Sequence, residues 1–425
     1  MLGSPTIGRN EEVSARPAFC EKDIVVLQKL AERVAKIAVQ TVEREKAEVW
    51  TGHNDLQPER VPVNCDPEGG WTEIIPESSL ECVSEQGRAM EMALRKDIIW
   101  AEQIKDDHVI DGTINVPYVG GMSDWGMQAQ IVGKGGRDSY SWIAPLSDYK
   151  DAVNLRYPEV FVDKTATEER LDLMRRIFDG MLTVNLCHPW WWSLGLTVTL
   201  VYLRGLENLM LDMYEYPDEL HNTMAFLRDG HIAVLDYLED NELLTTNVGN
   251  KYIGSGGFGF TGQLPQFAAP VKLKDMWGFS ESQETVAISP SMFGEFVFPY
   301  QLPILERFGL NCYGCCEPLE KRWVYIKQVP NLRRLSVSAW SDVSEMAELL
   351  QDKYVFSYKP SPVPLATYNM DEDKARKTLQ EVLEKTKGCV LELLMKDNHT
   401  LGGNPGNAYR WVQIAREECA RAGRG

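Results

Sequence analysis

NLRRLSVSAWSDVSEMAELLQDKYVFSYK, residues 331–359, reads as a strand, a helix and a second strand. The apolar runs predict strands at Leu335–Ser338 and Tyr354–Lys359. Asp342 is a suitable N-cap for a helix over Val343–Leu350, because its carboxylate can accept bonds from the first free N–H groups. Two strands joined by a helix within so few residues are typical of a parallel βαβ unit.

The same alternation extends in both directions along the chain. Further strands are predicted at residues 61–64, 182–187, 245–254, 311–316 and 389–395. Helices are predicted near residues 85–105, 167–178, 205–213, 218–239, 319–329, 371–385 and 408–420. This pattern favours an α/β protein with a closed (β/α)8 TIM barrel, and an open doubly wound sheet is the alternative.

Two segments stand apart from the barrel pattern. Residues 1–48 form a polar leader followed by an amphipathic helix over 21–48, which is an N-terminal helical extension. The barrel itself is assigned to residues 49–425. Within it, residues 106–165 are rich in Gly, Asp, Ser and Trp, so we expect a long loop insertion there that acts as a lid or as the contact of a homodimer.

Composition excludes several classes of protein. The 425 residues carry 44 Lys and Arg against 62 Asp and Glu, a net charge of −18, which argues against a nucleic-acid surface. The most apolar stretch, residues 190–203, is shorter than the roughly 20 residues that a spanning helix needs. With no recognisable export signal, we expect a cytoplasmic protein without a membrane anchor.

A cluster of thiols follows one predicted strand. Cys315, Cys316 and Glu317 come where residues 311–316 end, and His399 follows the strand at 389–395. In a parallel barrel the carboxyl ends of the strands meet at one mouth, where active sites are built. Thiolates with a carboxylate and an imidazole suit zinc, although reactive or packed thiols fit the same pattern.

Consecutive indoles follow His188. Three neighbouring tryptophans cannot all face a core, so at least one is expected to line a cavity or a partner surface. We expect a pocket for a flat, apolar or aromatic small molecule, lined by the side chains of Trp191, Trp192, Tyr252 and Trp277.

Several motifs resemble the uroporphyrinogen decarboxylase-like superfamily over roughly residues 50–420. They are QPERVPV at 57–63, SPSMFGEFVFPY at 289–300, GLNCYGCCE at 309–317, GCVLEL at 388–393 and GNPGN at 403–407. The resemblance implies a (β/α)8 barrel with its site at the carboxyl-terminal mouth. The Arg-Gln-Ala-Gly-Arg-Tyr motif of true uroporphyrinogen decarboxylases is missing, since NCDPEGGW follows Val63.

The other branch of that superfamily contains zinc methyltransferases that work with a separate corrinoid protein. Their His-x-Cys motif corresponds to Tyr313-Gly314-Cys315 here, so the cysteine matches and the histidine does not. The resemblance then implies zinc held by Cys315 with Cys316 or Glu317, and by His399 in place of a later cysteine. Glu281 or Asp397 would orient the substrate or a ligand.

The implied activity is transfer of a methyl group from a small methylated substrate to cobalt(I) of a partner corrinoid-binding protein. An aromatic methyl ether is the preferred methyl donor, because the predicted pocket is rich in indoles. Three alternatives stay open. They are transfer from a methylcorrinoid to a thiol, a decarboxylase whose pocket uses Arg88, Arg95 or Arg137, and a non-catalytic barrel that binds a corrinoid or a partner.

Overall fold

The computed structural model describes residues 19–133, 140–188, 190–266 and 269–425. Nearly all of the predicted leader, and Arg137, therefore lie outside the described residues.

Six strands form one parallel sheet. The strands of the described chain are β1 Val63–Cys65, β2 Thr113–Pro117, β3 Gly120–Met122, β4 Gln130–Gly133, β5 Tyr140–Ile143, β6 Val160–Val162, β7 Thr183–Cys187, β8 Trp277–Ser280, β9 Leu310–Tyr313, β10 Leu332–Ser338, β11 Val355–Lys359 and β12 Val390–Met395. In space the order of the six strands of the parallel sheet is β1-β12-β11-β10-β9-β8. Every residue of β9, β11 and β12 is buried, as expected for a parallel sheet that is covered on both faces.

Helices connect and cover these strands. They are α1 Glu21–Ala38, α2 Thr41–Asn54, α3 Trp71–Ile74, α4 Glu85–Ile99, α5 Lys164–Ile177, α6 Thr197–Arg204, α7 Leu206–Glu215, α8 Pro217–Asp240, α9 Pro290–Phe296, α10 Phe298–Leu305, α11 Trp323–Ile326, α12 Val343–Leu350, α13 Glu372–Lys385 and α14 Gly406–Arg421. Across the described ranges, none of the helices combines the length and apolarity needed to cross a membrane.

The βαβ unit predicted from residues 331–359 is confirmed. β10 and β11 pair in parallel with Ser336 opposite Ser357. The Asp342 side chain caps α12 by accepting bonds from Ser344 N at 2.9 Å and from Glu345 N at 3.1 Å. The cap at Asp342 and the two buried strands thus place the helix and the strands where the sequence predicts them.

The amino-terminal helix differs from its prediction. The expected single helix over 21–48 is two helices, α1 and α2, separated at Val39 and Gln40. The proposed boundary after residue 48 therefore falls inside α2, whose Trp50 and His53 are buried.

Residues 245–254 do not form the predicted strand. One antiparallel bridge joins Tyr252 of this segment to Phe258, four residues beyond its end. The side chain of Asn247 replaces a backbone ladder, because it accepts a bond from Trp277 N at 2.9 Å and donates one to Trp277 O at 2.8 Å.

A series of hydrogen bonds leads from β1 toward β8, the two outer strands of the six-stranded sheet. Asp107 N donates to Val63 O of β1 at 2.8 Å, and β2 continues from there to pair in parallel with β7. Directly after β7, His188 Nδ1 accepts a bond from Thr245 N at 3.1 Å. The predicted insertion 106–165 also holds two antiparallel ribbons, β3 with β6 and β4 with β5.

A buried charge network fixes α2 to the sheet. Arg334 Nε of β10 lies 3.1 Å from Glu392 Oε1 of β12, and His53 Nε2 of α2 lies 3.0 Å from Glu392 Oε2. All three side chains have no solvent exposure. Burial alone would raise the pKa of Glu392, but the charge of Arg334 and the bond to His53 lower that pKa to about 2.

Candidate active site

The carboxyl ends of β1 and β8–β12 form one edge of the sheet, here called the carboxyl edge. Reactive side chains gather there. Glu281 follows β8, Cys315 and Cys316 follow β9 by two and three residues, Lys359 ends β11, and Asp397 follows β12. Because parallel strands point the same way, these residues lie on the same side of the fold. The sequence predicts Cys315 and Asp397 at strand ends, and the structure agrees. It predicts no strand before Glu281, whose position at the end of β8 comes from the structure.

A tight turn presents the two thiols. Gly314 has a φ of +94°, a region that favours glycine, and its N–H donates to Ser280 O at 2.9 Å. Cys315 Sγ and Cys316 Sγ then lie 3.7 Å apart. The hydrogen bond from Cys315 lowers the pKa of Cys316 despite the opposite effect of burial, and the charge of Lys359 lowers it further.

Lys359 brings a buried positive charge to the thiols. Its Nζ lies 3.8 Å from Cys315 Sγ and also donates to Ser255 Oγ. Burial alone would lower the pKa of Lys359, but the negative potential of Cys315 and Cys316 raises it. The sequence analysis missed this residue, although the strand-end argument applies to it as the last residue of a predicted strand.

Glu281 is a fully buried carboxyl group at the same edge. Ser193 Oγ donates to its Oε1 at 3.2 Å and Gln283 N donates to its Oε2 at 3.0 Å. Burial raises the pKa of Glu281 well above its usual range, and the neighbouring carboxylates of Glu284 and Glu317 raise it further. Its surroundings therefore favour the neutral, protonated form of the Glu281 carboxyl.

The predicted zinc ligands come together only in part. Two thiolates of a tetrahedral zinc site lie about 3.8 Å apart, since each Zn–S bond is about 2.3 Å. The sulfur atoms of Cys315 and Cys316 match this separation. Both oxygens of Glu317 already accept backbone N–H groups, from Ser282 and from Cys315, each at 2.9 Å.

The remaining donor does not join them. His399 is exposed on the loop after β12. Throughout the residues that the structure describes, no three His, Cys, Asp or Glu side chains form a group able to hold a metal ion. With the Lys359 ammonium beside Cys315, this arrangement does not fit zinc, and the predicted ligand set is not assembled.

The predicted aromatic residues divide between the two ends of the strands. Trp191 stacks on His188 with ring centroids 4.9 Å apart, and Trp192, the residue before Ser193, packs edge-on against Phe279. Trp277 is the first residue of β8 and packs under Arg334, at the opposite end from Glu281. The structure thus does not bring Trp277 to the carboxyl edge.

Tyr252 and Asp397 occupy the side of the edge near β1 and β12. Lys396 Nζ lies 3.9 Å from the ring centroid of Tyr252, whose hydroxyl donates to Asn64 Oδ1 of β1 at 3.0 Å. Asp397 has a φ of +60°, an uncommon backbone conformation that is enriched at functional sites. Asp397 also acts on the thiol pair, because its negative charge raises the pKa of Cys316.

Comparison with known proteins identifies a fold relationship. No protein-family model matches the chain, and no curated protein matches it. A solved methyltransferase from Methanosarcina mazei superposes with a TM-score of 0.50 at 12% sequence identity, covering 88% of this chain and 98% of the other. At this identity the likeness establishes a shared fold.

Proposed function

We propose that this protein is a methyltransferase with a closed (β/α)8 barrel that passes a methyl group from a small methylated substrate to a corrinoid on a partner protein. The fold shared with the solved methyltransferase supports a methyltransferase activity. The bonds that link β1 to residue 107, β7 to residue 245 and β8 to residue 247 support closure of the barrel.

The observation that carries the proposal is the fully buried carboxyl group of Glu281 at the carboxyl edge, whose surroundings raise its pKa and favour its protonated form. When a methyl group leaves an ether, the C–O bond breaks and its electron pair stays on oxygen. A phenolate or alkoxide is a poor leaving group unless it is protonated or otherwise stabilised. A proton given by Glu281 yields the neutral alcohol, and general acid catalysis of this kind contributes about 10²–10⁴ in rate.

The proposal involves no bound metal, and the chain's own residues prepare the transfer. Ser193 orients the Glu281 carboxyl, and the Lys359 ammonium offsets negative charge near the thiols. The corrinoid supplies the methyl acceptor when the partner is bound. Trp191 and Trp192 directly precede Ser193 in the chain, which favours an aromatic methyl ether as the donor.

A decarboxylase is the second candidate, because Lys359 and Lys396 both lie at the carboxyl edge and could bind a substrate carboxylate. The arginines predicted for this role are elsewhere. Arg88 and Arg95 lie on α4, where Arg88 donates to Glu77 O and Arg95 donates to Glu91.

The decisive assay offers methoxyphenols to the purified protein with reduced cobalamin as the acceptor and follows its methylation by absorbance. Glu281→Gln should reduce the rate by about 100-fold or more, because the amide cannot supply the proton. Glu295→Gln is the matched control, since Glu295 is exposed on α9.

Failure of the wild-type protein to methylate cobalamin from any methyl ether would overturn the proposal. Full activity in Glu281→Gln would reject the acid role. Release of carbon dioxide from an aromatic carboxylate, with loss of that activity in Lys359→Met, would establish the decarboxylase instead.

A further inference from the structure

Two adjacent thiols at the carboxyl edge lie close enough to react with each other. Cys315 Sγ and Cys316 Sγ are 3.7 Å apart, so they must approach by about 1.7 Å to reach the bond length of a disulfide, about 2.05 Å. Cys316 is half-buried, whereas Cys315 is buried. A reagent that arrives from solvent therefore meets Cys316 first, and Cys315 stands behind it.

A buried positive charge favours reaction at this pair. Lys359 Nζ lies 3.8 Å from Cys315 Sγ, and only 4% of the lysine is exposed. The thiolate is the reactive form of cysteine, and a neighbouring ammonium group stabilises it. At Cys316 the hydrogen bond from Cys315 and the charge of Lys359 lower the pKa, and together they outweigh burial and the carboxylates of Asp397 and Glu317.

A bond between adjacent cysteines is easily reduced again. Neighbouring Cα atoms are about 3.8 Å apart, whereas most disulfides join Cα atoms about 4.4–6.8 Å apart. A disulfide outside this range stores strain, and strained disulfides are the labile ones that serve regulation or catalysis. The pair is therefore suited to a reversible bond rather than to a permanent structural one.

The turn that carries the thiols also holds both neighbours of Glu281. Gly314 N donates to Ser280 O at 2.9 Å. On the other side, Glu317 accepts Ser282 N and the N–H of the first cysteine, each at 2.9 Å. A disulfide closes a small ring that includes the backbone between the two cysteines, so this backbone must adjust. Glu281 lies between the two points to which that adjustment is passed.

We propose that Cys315 and Cys316 form a redox site that closes to a disulfide by exchange with a low-molecular-weight disulfide and that displaces Glu281 when it closes. Formation of the bond is independent of the proposed function. The effect on methyl transfer rests on that function, because Glu281 is its acid.

The exchange takes place in two steps. The Cys316 thiolate attacks one sulfur of the small disulfide, whose other half leaves as a thiolate. Cys315 then gives up its proton and attacks Cys316 Sγ, and the second half leaves as a thiolate. The protein loses two hydrogen atoms and two electrons, and the small disulfide is reduced to two thiols.

The test exposes reduced protein to oxidised glutathione, blocks the remaining free thiols and analyses the peptides by mass spectrometry. The wild-type peptide with residues 315 and 316 should lose two hydrogen atoms and carry no glutathione, and dithiothreitol should reverse this change. Cys315→Ser should stop at the first step and keep a glutathione on Cys316. A wild-type peptide that keeps both free thiols, or that keeps a glutathione, would overturn the inference.

Cys187 is the internal control. It is also half-buried and lies in the field of a lysine, Lys251, but it has no cysteine beside it in the chain. It should take up a glutathione at most. Lys359→Met should slow closure about threefold, because one pKa unit lowers the thiolate fraction about tenfold and raises its nucleophilicity about threefold. Lys359→Arg keeps the charge and should restore the rate, and an unchanged rate in Lys359→Met would reject the role of the lysine.

Methyl transfer measures the link to Glu281. The oxidised protein should be slower by about tenfold or more, because misplacement by about 1 Å can cost about 100-fold, and dithiothreitol should restore the rate. Cys315→Ser/Cys316→Ser should have the same rate before and after oxidation. Full activity in the oxidised wild-type protein would overturn the link to Glu281. A disulfide that forms in a protein that methylates no acceptor would sustain the redox site and reject the methyltransferase.

Discussion

Replacement of Arg334 by methionine tests whether the buried charge network stabilises the fold. The pKa of Glu392 falls from its ordinary 4.5 to about 2 in the folded protein. At 1.36 kcal/mol per pKa unit, this difference is worth about 3 kcal/mol of stability. Because the folded-state pKa is lowered, the contribution is fully present above pH 4.5 and is lost as the pH falls toward 2.

Arg334→Met leaves the Glu392 carboxylate buried without its main countercharge. Breaking one partner of a buried ion pair costs about 3–5 kcal/mol, so we expect a loss of this size at pH 7. Urea denaturation followed by tryptophan fluorescence at pH 7 and at pH 4 measures the free energy of unfolding. The loss of unfolding free energy between pH 7 and pH 4 should also be smaller in the variant, because its Glu392 titrates at a higher pKa and no longer adds to that loss.

Arg33→Met is the control. Arg33 pairs with Glu102, and their side chains are 55% and 40% exposed, so this substitution should cost less than about 1 kcal/mol. If Arg334→Met costs no more than Arg33→Met at pH 7, the argument from the pKa of Glu392 is wrong.

Two further predictions concern the thiol turn. Elemental analysis of protein purified without chelator should find far less than one zinc per chain, because two sulfur donors are fewer than the three that a catalytic zinc site uses. A full equivalent of zinc that disappears in Cys315→Ser/Cys316→Ser would instead restore the predicted ligand set. Gly314→Ala should destabilise the protein by about 1–3 kcal/mol, since φ is +94° and the new Cβ would lie 2.7 Å from Leu319 Cδ1. Gly388→Ala is the control, because Gly388 has a similar φ of +83° but open space around the new Cβ. It therefore measures backbone strain without the clash. Equal losses of unfolding free energy in the two variants would show that the clash costs nothing.

The fold was predictable where the sequence carries a periodic pattern. Residues 331–359 combine buried apolar strands with a capped helix, so local preferences and packing agree. Residues 245–254 have the sequence pattern of a strand but do not form one, because Asn247 bonds to β8 through its side chain and Gly249 takes a φ of +103°. No hydropathy pattern reports that kind of pairing.

The candidate site was predictable to the level of the edge. Strand ends placed Cys315 and Asp397 together, because parallel strands share a direction, but no strand was predicted before Glu281. Trp277 was misplaced because it begins β8, four residues and about 13 Å before Glu281. The exposure of His399 depends on the path of the loop after β12, which the sequence does not encode locally.

The origin of the residues at the carboxyl edge has a consequence for how the sequence can change over evolution. Glu281, Cys315 and Lys359 come from the ends of three different strands, and each lies at the start of a separate connection. A connection can therefore change in length or composition while the buried strands hold the other residues of the edge in place. The architecture separates variation around the edge from the stability of the sheet that supports it.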